Sequence, residues 1–422
     1  MRKVTLFLCC TLVLVATTYA QKLEKEQEEI QELKQQNQEQ ATELKKLNQF
    51  KISGYIQTQF QYGQKDASLK VGNKNTNFDK GYNRFGIRRG RVKLEYKRHI
   101  FSGVFQLDIT EKGLGLKDAY ISIQDPWVGS SSIKAGVFNR PFGYEISYSS
   151  SKRESPERAT VITTLFPEER DLGAMLTLQA PKESPWSILK LDAAIVSGNG
   201  IKLDLDNQKD FIGRLSLNKD FNKKFSIGGG VSYYKGKVYQ GSPNIYKMSG
   251  QSFITTSDST QINTYTKREY FGVDLQLTLN SKIGQTHVYG EYIMGTQPGT
   301  KTSSKSPNST TLPTSDTYIR SFSGYYITWV QGLGKLPLSL VAKYDSYNPN
   351  KYISKDEIGL NGSGKGDIAY QTLGGGILWQ AHKNLRLSAY YDWIVNEKSQ
   401  NLNGFESDIA DNVFTLRLQY KF

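Results

Sequence analysis

The last nine residues, Phe414 to Phe422, alternate without a break. Phe414, Leu416, Leu418, Tyr420 and Phe422 are apolar; Thr415, Arg417, Gln419 and Lys421 are polar. This pattern reads as a β-strand with one face in an apolar medium and the other in a polar one. The same period of two recurs from Lys51 onward. Apolar faces are marked by Ile52, Ile56 and Phe60; by Val92, Leu94 and Tyr96; by Phe101, Phe105 and Leu107; and by Leu172, Leu176 and Leu178. Others are marked by Leu189, Leu191 and Ile195; by Phe225, Ile227, Val231 and Tyr233; by Phe271, Val273, Leu275 and Leu277; and by Leu373, Ile377 and Trp379. In all, about sixteen such segments can be counted.

The links between segments sort by length. Residues 98–101, 125–132, 180–187, 219–224, 280–284, 331–336 and 380–384 are short links. Between them fall long, polar, Gly/Ser/Asn-rich ones at 63–84, 139–170, 197–210, 239–268, 297–318, 346–367 and 397–411. One early link on the long side, 110–117, is short. A soluble sandwich has no reason to sort its links by parity. Transmembrane barrels do, with tight periplasmic turns and long external loops. The expected fold is all-β: a 16-stranded antiparallel transmembrane β-barrel over residues 51–422, with both of its ends on the turn side.

Before the barrel the pattern changes twice. Residues 1–20 read as a secretory signal peptide: Arg2 and Lys3, an apolar run from Val4 to Val15, and Thr18-Tyr-Ala20 as a cleavage site. Residues 21–50 are Glu-, Gln-, Lys- and Leu-rich with no Gly or Pro, which favours a helix. Heptad a positions can be written at Leu23, Ile30, Asn37 and Leu44, and d positions at Glu26, Leu33, Gln40 and Leu47. This reads as a short periplasmic coiled coil, about 40 Å long at 1.5 Å per residue. A solvated single helix or a spacer is the alternative.

Composition narrows the classes. The two cysteines, Cys9 and Cys10, both lie in the signal segment, so the mature chain has no disulfide or thiol chemistry. No mature segment has the roughly 18 apolar residues of a membrane-spanning helix. Aromatic residues are abundant while apolar content is only 37%. A barrel with one apolar face in two and aromatic girdles has this mix. Residues 51–422 carry the whole formal excess of +14. An exported basic protein points to an anionic surface or solute, and no nucleic-acid-binding motif appears.

The opposite parity of each strand gives the lumen. In Asn83 to Lys97, if Val92, Leu94 and Tyr96 face lipid, then Arg89, Arg91, Lys93, Glu95 and Lys97 face inward. A guanidinium on the lipid face at mid-bilayer costs about 2–4 kcal/mol, which fixes this choice of face. Such a row makes a track for anions. Barrel lumens are also commonly charged and cross-neutralised. Glu95, Asp108, Asp118, Asp192, Glu291, Asp345 and Asp392 share the inward parity.

The longest external link, residues 139–170, contains Arg140, Lys152, Arg153, Arg158 and Arg170 beside Glu145, Glu154, Glu157, Glu168 and Glu169. It is the link expected to fold inward and narrow the pore; a plain external loop is the alternative. The adjacent pair Glu168 and Glu169, and Asp66 with Asp79, read as solvated loop charges. Of the three histidines, His99 and His382 fall in turns and His287 in the lumen. No catalytic set converges, no metal-ligand spacing appears and no cofactor is called for. Gly228-Gly-Gly230 and Gly374-Gly-Gly376 read as strand positions where neighbours pack closely.

Three stretches resemble the porin O and P family, the phosphate-selective porins. They are Phe85-Gly-Ile-Arg-Arg-Gly-Arg-Val92, Lys117-Asp-Ala-Tyr120, and Ile133-Lys-Ala-Gly-Val-Phe-Asn-Arg-Pro-Phe-Gly-Tyr-Glu145. The resemblance covers the barrel. It implies a sixteen-stranded homotrimer in outer-membrane lipid, with loops folded into the lumen and Arg and Lys side chains conducting inorganic anions such as phosphate or polyphosphate. Chains of this kind with an added N-terminal coiled coil are similar to those of Bacteroides-type bacteria. It also implies that Phe422 is read by the outer-membrane assembly machinery. Arg89, Arg91 and the Arg140-Pro-Phe-Gly turn match by motif, and Arg153 and Arg158 follow from charge and place. The inward acids depart from a strongly cationic lumen. The expected function is therefore an outer-membrane porin for small anions. The alternatives are a weakly selective general porin, or a barrel anchor whose coiled coil binds periplasmic partners.

Overall fold

A computed structural model describes residues 22–23, 25–27, 29–40, 43, 49–76 and 79–422. The signal-peptide expectation lies outside the described residues. The chain divides into an N-terminal unit and a barrel unit. In the first, residues 29–40 form helix α1, exposed along its whole length. Ile30 and Leu33 are among its exposed side chains. Of the remaining heptad positions, Leu44 and Leu47 lie outside the described residues.

The second unit contains eighteen strands. The first nine are β1 (Phe50–Gly63), β2 (Tyr82–Arg98), β3 (Phe101–Thr110), β4 (Gly113–Gln124), β5 (Ser132–Asn139), β6 (Arg170–Gln179), β7 (Leu189–Val196), β8 (Asp210–Asn222) and β9 (Phe225–Gln240). The rest are β10 (Asn244–Ser249), β11 (Ser252–Ser257), β12 (Thr264–Ser281), β13 (Gly284–Gly299), β14 (Thr317–Gly332), β15 (Leu338–Asn348), β16 (Tyr370–His382), β17 (Leu385–Asn396) and β18 (Val413–Lys421). Strand β9 pairs directly with β12, so β10 and β11 stand outside the wall as a hairpin in the intervening link. That leaves sixteen antiparallel strands in the wall, closed by β18 on β1 from Tyr55↔Lys421 to Gly63↔Val413. The seam is completed by Gly54 and Phe422, which exchange two backbone hydrogen bonds of 3.0 Å. Closure removes the unpaired edges that a sheet cannot carry into a bilayer.

The faces fall as the alternation requires. Leu172, Leu176, Leu178, Phe271, Val273, Leu275, Leu416, Leu418, Tyr420 and Phe422 are exposed on the outside. Between them Thr415, Arg417 and Gln419 are buried inside. Links on one rim run from two to nine residues; those on the other run from thirteen to thirty, apart from the two-residue turn at 111–112. The unforeseen element is the β10–β11 hairpin, which adds to β14 in parallel at Ile245↔Thr317. Its strands are six residues each and lack a clean two-sided pattern, so nothing in the link marks them.

The barrel is not hollow. Inward-facing Ile212, Tyr234, Tyr270, Tyr289, Ile293, Phe322, Tyr326 and Tyr347 form an apolar inner wall across β8 to β15. Against it pack Phe142, Ile146, Val161, Ile162, Leu165 and Phe166 from the 140–169 link, which holds the short helix α2 (Thr160–Leu165). The close approach depends on glycine. A Cβ on Gly272 would lie 2.8 Å from the Phe142 ring, and one on Gly324 would lie 2.7 Å from Val161.

The lipid face is open to a direct test. Leu275→Arg, in the middle of the lipid-facing row of β12, is expected to lower unfolding free energy by about 2–4 kcal/mol. Urea titration of protein refolded into vesicles measures it. Asn403→Arg, in the exposed 397–412 link, is expected to change it by less than about 0.5 kcal/mol.

Candidate functional site: a loop across the lumen

The 140–169 link is the one expected to fold inward, and it does. At its root the Arg140 guanidinium donates to Asp171 at 2.8 Å, with both side chains fully buried. Asp171 also accepts from Ser197 Oγ at 2.7 Å. The chain then turns onto β13 and β14. One oxygen of the Glu291 carboxylate accepts the Tyr144 N–H at 2.7 Å, the Glu145 N–H, and the Tyr326 hydroxyl at 2.7 Å. The Glu145 carboxylate accepts the Ala159 N–H at 2.9 Å and faces Lys343 at 3.4 Å, tying the two arms of the loop together.

The tip reaches the seam. Gln57 donates to the Ser150 carbonyl at 3.0 Å, and Gln419 to the Ser151 carbonyl at 3.0 Å. Arg386 donates to the Lys152 and Arg153 carbonyls at 3.1 and 3.0 Å. Glu157 is gripped from the wall by Arg88 in a two-pronged pair at 2.7 Å, by Arg417 at 3.1 Å and by Arg89 at 3.3 Å. Burial works against a charge on Glu157. Arg88, Arg89 and Arg417 outweigh it and hold the carboxyl well below its usual range. On the way back, Glu168 and Glu169 both take left-handed backbone conformations, φ 61° and 66°. Such strain persists where surrounding contacts hold it. Here it sets Glu169 between Arg158 and Arg170, the latter at 3.0 Å. Burial again opposes the charge, and the arginines, led by Arg158, again prevail.

The loop crosses the lumen without filling it. On the long-link side a cavity of about 610 Å³ is lined by seven basic and eight acidic side chains. Arg88, Arg89, Arg91, Lys70 and Lys117 belong to β1–β4 and their links; Asp345, Asp392 and Asp411 come from β15, β17 and the last link. Nearer the turn side, between the loop root and β2–β8, a second chamber of about 250 Å³ is lined by five basic and two acidic side chains. The two share no lining residue. Between them stands Arg170, which bonds Glu169 of the outer cavity and, at 2.8 Å, Asp118 of the inner one.

Each expected anion-path residue can now be placed. Arg89 and Arg91 are buried in the wall, with Arg91 3.4 Å from Asp108. Lys93 is paired with Glu95. Arg153 is buried and donates to the Ser155 and Pro156 carbonyls. Arg158 donates to the Glu145 carbonyl and pairs with Glu169. Arg140 and Arg170 hold the loop root. Lys97 and Lys152 are exposed and join neither cluster of pairs. The row from Arg89 to Lys97 is thus not a ladder of free cations, because each buried arginine meets a carboxylate or carbonyl. Glu169 corrects the reading of Glu168 and Glu169 as solvated charges. Its partners, Arg158 and Arg170, become its neighbours only when the loop folds back.

Sequence reasoning missed Arg88, Lys117, Lys343, Arg386 and Arg417 as site residues. Arg88 was hidden by parity: it and the adjacent Arg89 both reach Glu157, so the alternation slips one step there. Among the described residues no group of His, Cys, Asp and Glu is arranged to hold a metal ion.

The sequence matches no family model and none of the curated proteins. Its fold is that of solved outer-membrane porins. OprB of Pseudomonas putida, in its high-pH structure, superposes with a TM-score of 0.56 at 9% identity, covering 90% of this chain and 96% of that one. OmpF of Salmonella typhi, solved with daunomycin, gives 0.54 at 11% identity over 88% and 97%. OmpT of Vibrio cholerae, in its trimer form, gives 0.51 at 9% over 88% and 99%.

Two measurements probe the loop. Glu157→Gln leaves Arg88, Arg89 and Arg417 facing one another, and is expected to destabilise the barrel by about 3 kcal/mol. It should also make the open-channel current noisier, read in single-channel recordings. Asp411 lies in the last link, where burial and then Asp408 push its carboxyl up to about 7. Lowering the pH from about 8 to about 6 therefore protonates Asp411 and takes its negative charge out of the outer cavity. The anion-to-cation permeability ratio should rise across that interval, and Asp411→Asn should flatten the rise.

Proposed function

We propose that this chain is an outer-membrane porin through which small hydrophilic anions diffuse. The observation that carries the reading is the 140–169 loop. It is braced across a closed barrel yet leaves polar cavities on both of its sides. A barrel serving only as an anchor has no need of a braced constriction with charged walls. The preference for anions rests on the inner chamber, where Lys93, Lys134, Arg140, Lys190 and Arg214 face Asp118 and Asp192. The +14 formal charge of residues 51–422 works in the same direction.

Phosphate belongs to this class of solute. Polyphosphate fits less well, because an extended polyanion must first pass the eight carboxylates of the outer cavity. Those carboxylates favour the second reading, a weakly selective general pore. Assembly as a homotrimer fits the barrel and the exposed stripe of α1, which three copies would cover as a periplasmic coiled coil. One of the similar structures, OmpT of Vibrio cholerae, is described as a trimer. Export by the 1–20 signal, and recognition of Phe422 by the assembly machinery, complete the proposal.

Reversal potentials of the purified protein in planar bilayers under a salt gradient test it. An anion-selective sign with a permeability ratio above about three is expected. A ratio near one supports the general pore, and a cation-selective sign ends the anion proposal.

A further inference from the structure

The inner chamber holds charges of two kinds. Four of its five cations are already matched. Lys93 is paired with Glu95, Lys190 meets Asp192 at 2.7 Å, Arg214 meets Asp274 at 2.8 Å, and Arg140 meets Asp171 at 2.8 Å. Lys134 differs. Among the described residues its ammonium makes no ion pair; it faces rings, with the Tyr120 centroid at 4.9 Å and that of Phe138 at 5.9 Å, while Asp192 and Asp118 act on it from farther off. Around it the chamber lining is apolar as well as charged: Tyr120, Phe138, Pro141, Phe142 and Met175.

A small multivalent oxyanion suits such a chamber poorly. It is strongly hydrated and needs several unshared donors to replace its water. Here the other cations are shared with carboxylates, and two carboxylates, Asp118 and Asp192, repel a second negative charge. A singly charged anion with a flat apolar body uses what is present. Its carboxylate meets Lys134, and its ring displaces water from the aromatic lining. The chamber, at about 250 Å³, has room for about eight waters at ~30 Å³ each, enough for one such molecule.

We propose that the inner chamber is a binding site for small ring carboxylates, held by Lys134 and the apolar lining around Tyr120. This rests on the porin reading and narrows its solute from anions in general to aromatic and related organic monoanions.

The test uses the full-length protein in planar bilayers carrying chloride current. Sodium benzoate or sodium phosphate is added as blocker. Benzoate should half-block at a concentration at least tenfold below that of phosphate. Lys134→Gln should cut that advantage to less than threefold, and Lys134→Arg should keep most of it. Lys398→Gln, in the exposed last link, should leave it intact. Where Lys134→Gln fails to assemble, Tyr120→Ser is expected to show the same loss. Equal block by the two anions overturns the site, as does an advantage that survives Lys134→Gln or Tyr120→Ser. In either case a chloride current leaves the porin reading standing. Absence of any current overturns that reading and this one together.

Discussion

Glu157 is the tether on which the inward-folded loop depends. It brings a carboxylate from the middle of a thirty-residue link onto three guanidiniums of the wall, Arg88, Arg89 and Arg417. Those three lie on β2 and β18, either side of β1, so the tether also staples the second and last strands across the first. A buried guanidinium without a counter-charge is costly, and three of them converging would be more so. The loop therefore cannot leave the lumen without exposing that deficit. The wall, in turn, cannot be read as a set of independent cationic residues. Glu291 does the reciprocal work on the other side of the barrel, where wall acid meets loop amide.

Between those two tethers the loop lies on an apolar surface inside a protein whose outside is also apolar. This is the physical reason the inner wall was hard to see. A strand such as β14 carries Tyr318, Phe322 and Tyr326 inward and Tyr325, Ile327 and Trp329 outward. Its alternation looks blurred where the terminal strand is clean. Blurring over β8 to β15, together with one unusually long link, was the available sign that the link is covered. What could be read directly was local: which face of each strand meets lipid, which rim carries the turns, and that β18 closes the barrel. What could not be read was pairwise and distant. Nothing near Glu157 in sequence announces Arg417, and nothing near Glu145 announces Lys343. The one-residue slip at Arg88 and Arg89 defeats any strict parity count through the very strand that carries the signal.

For the proposed porin function, cross-neutralisation has a consequence. Conduction requires a solute to be attracted into a narrow passage and also to leave it. A column of unpaired arginines would hold a multivalent anion too firmly for rapid release. Here each arginine of the loop has a carboxylate or carbonyl acceptor, with one nitrogen each of Arg140 and Arg153 left unpaired, so under the proposed function a passing anion would mostly compete for a share of a donor. Most of the cost of burying so many guanidiniums is met within the fold, by the carboxylates and carbonyls they pair with. Under the proposed function, selectivity would then arise from small differences: the near balance of charge in the outer cavity, the excess of cations in the inner chamber, and a lysine that faces two rings. On the proposed reading the arrangement would favour weakly held anions over tightly held ones. It also makes the balance sensitive to a single carboxylate, because in a narrow passage with low-dielectric walls one charge is a large fraction of the field.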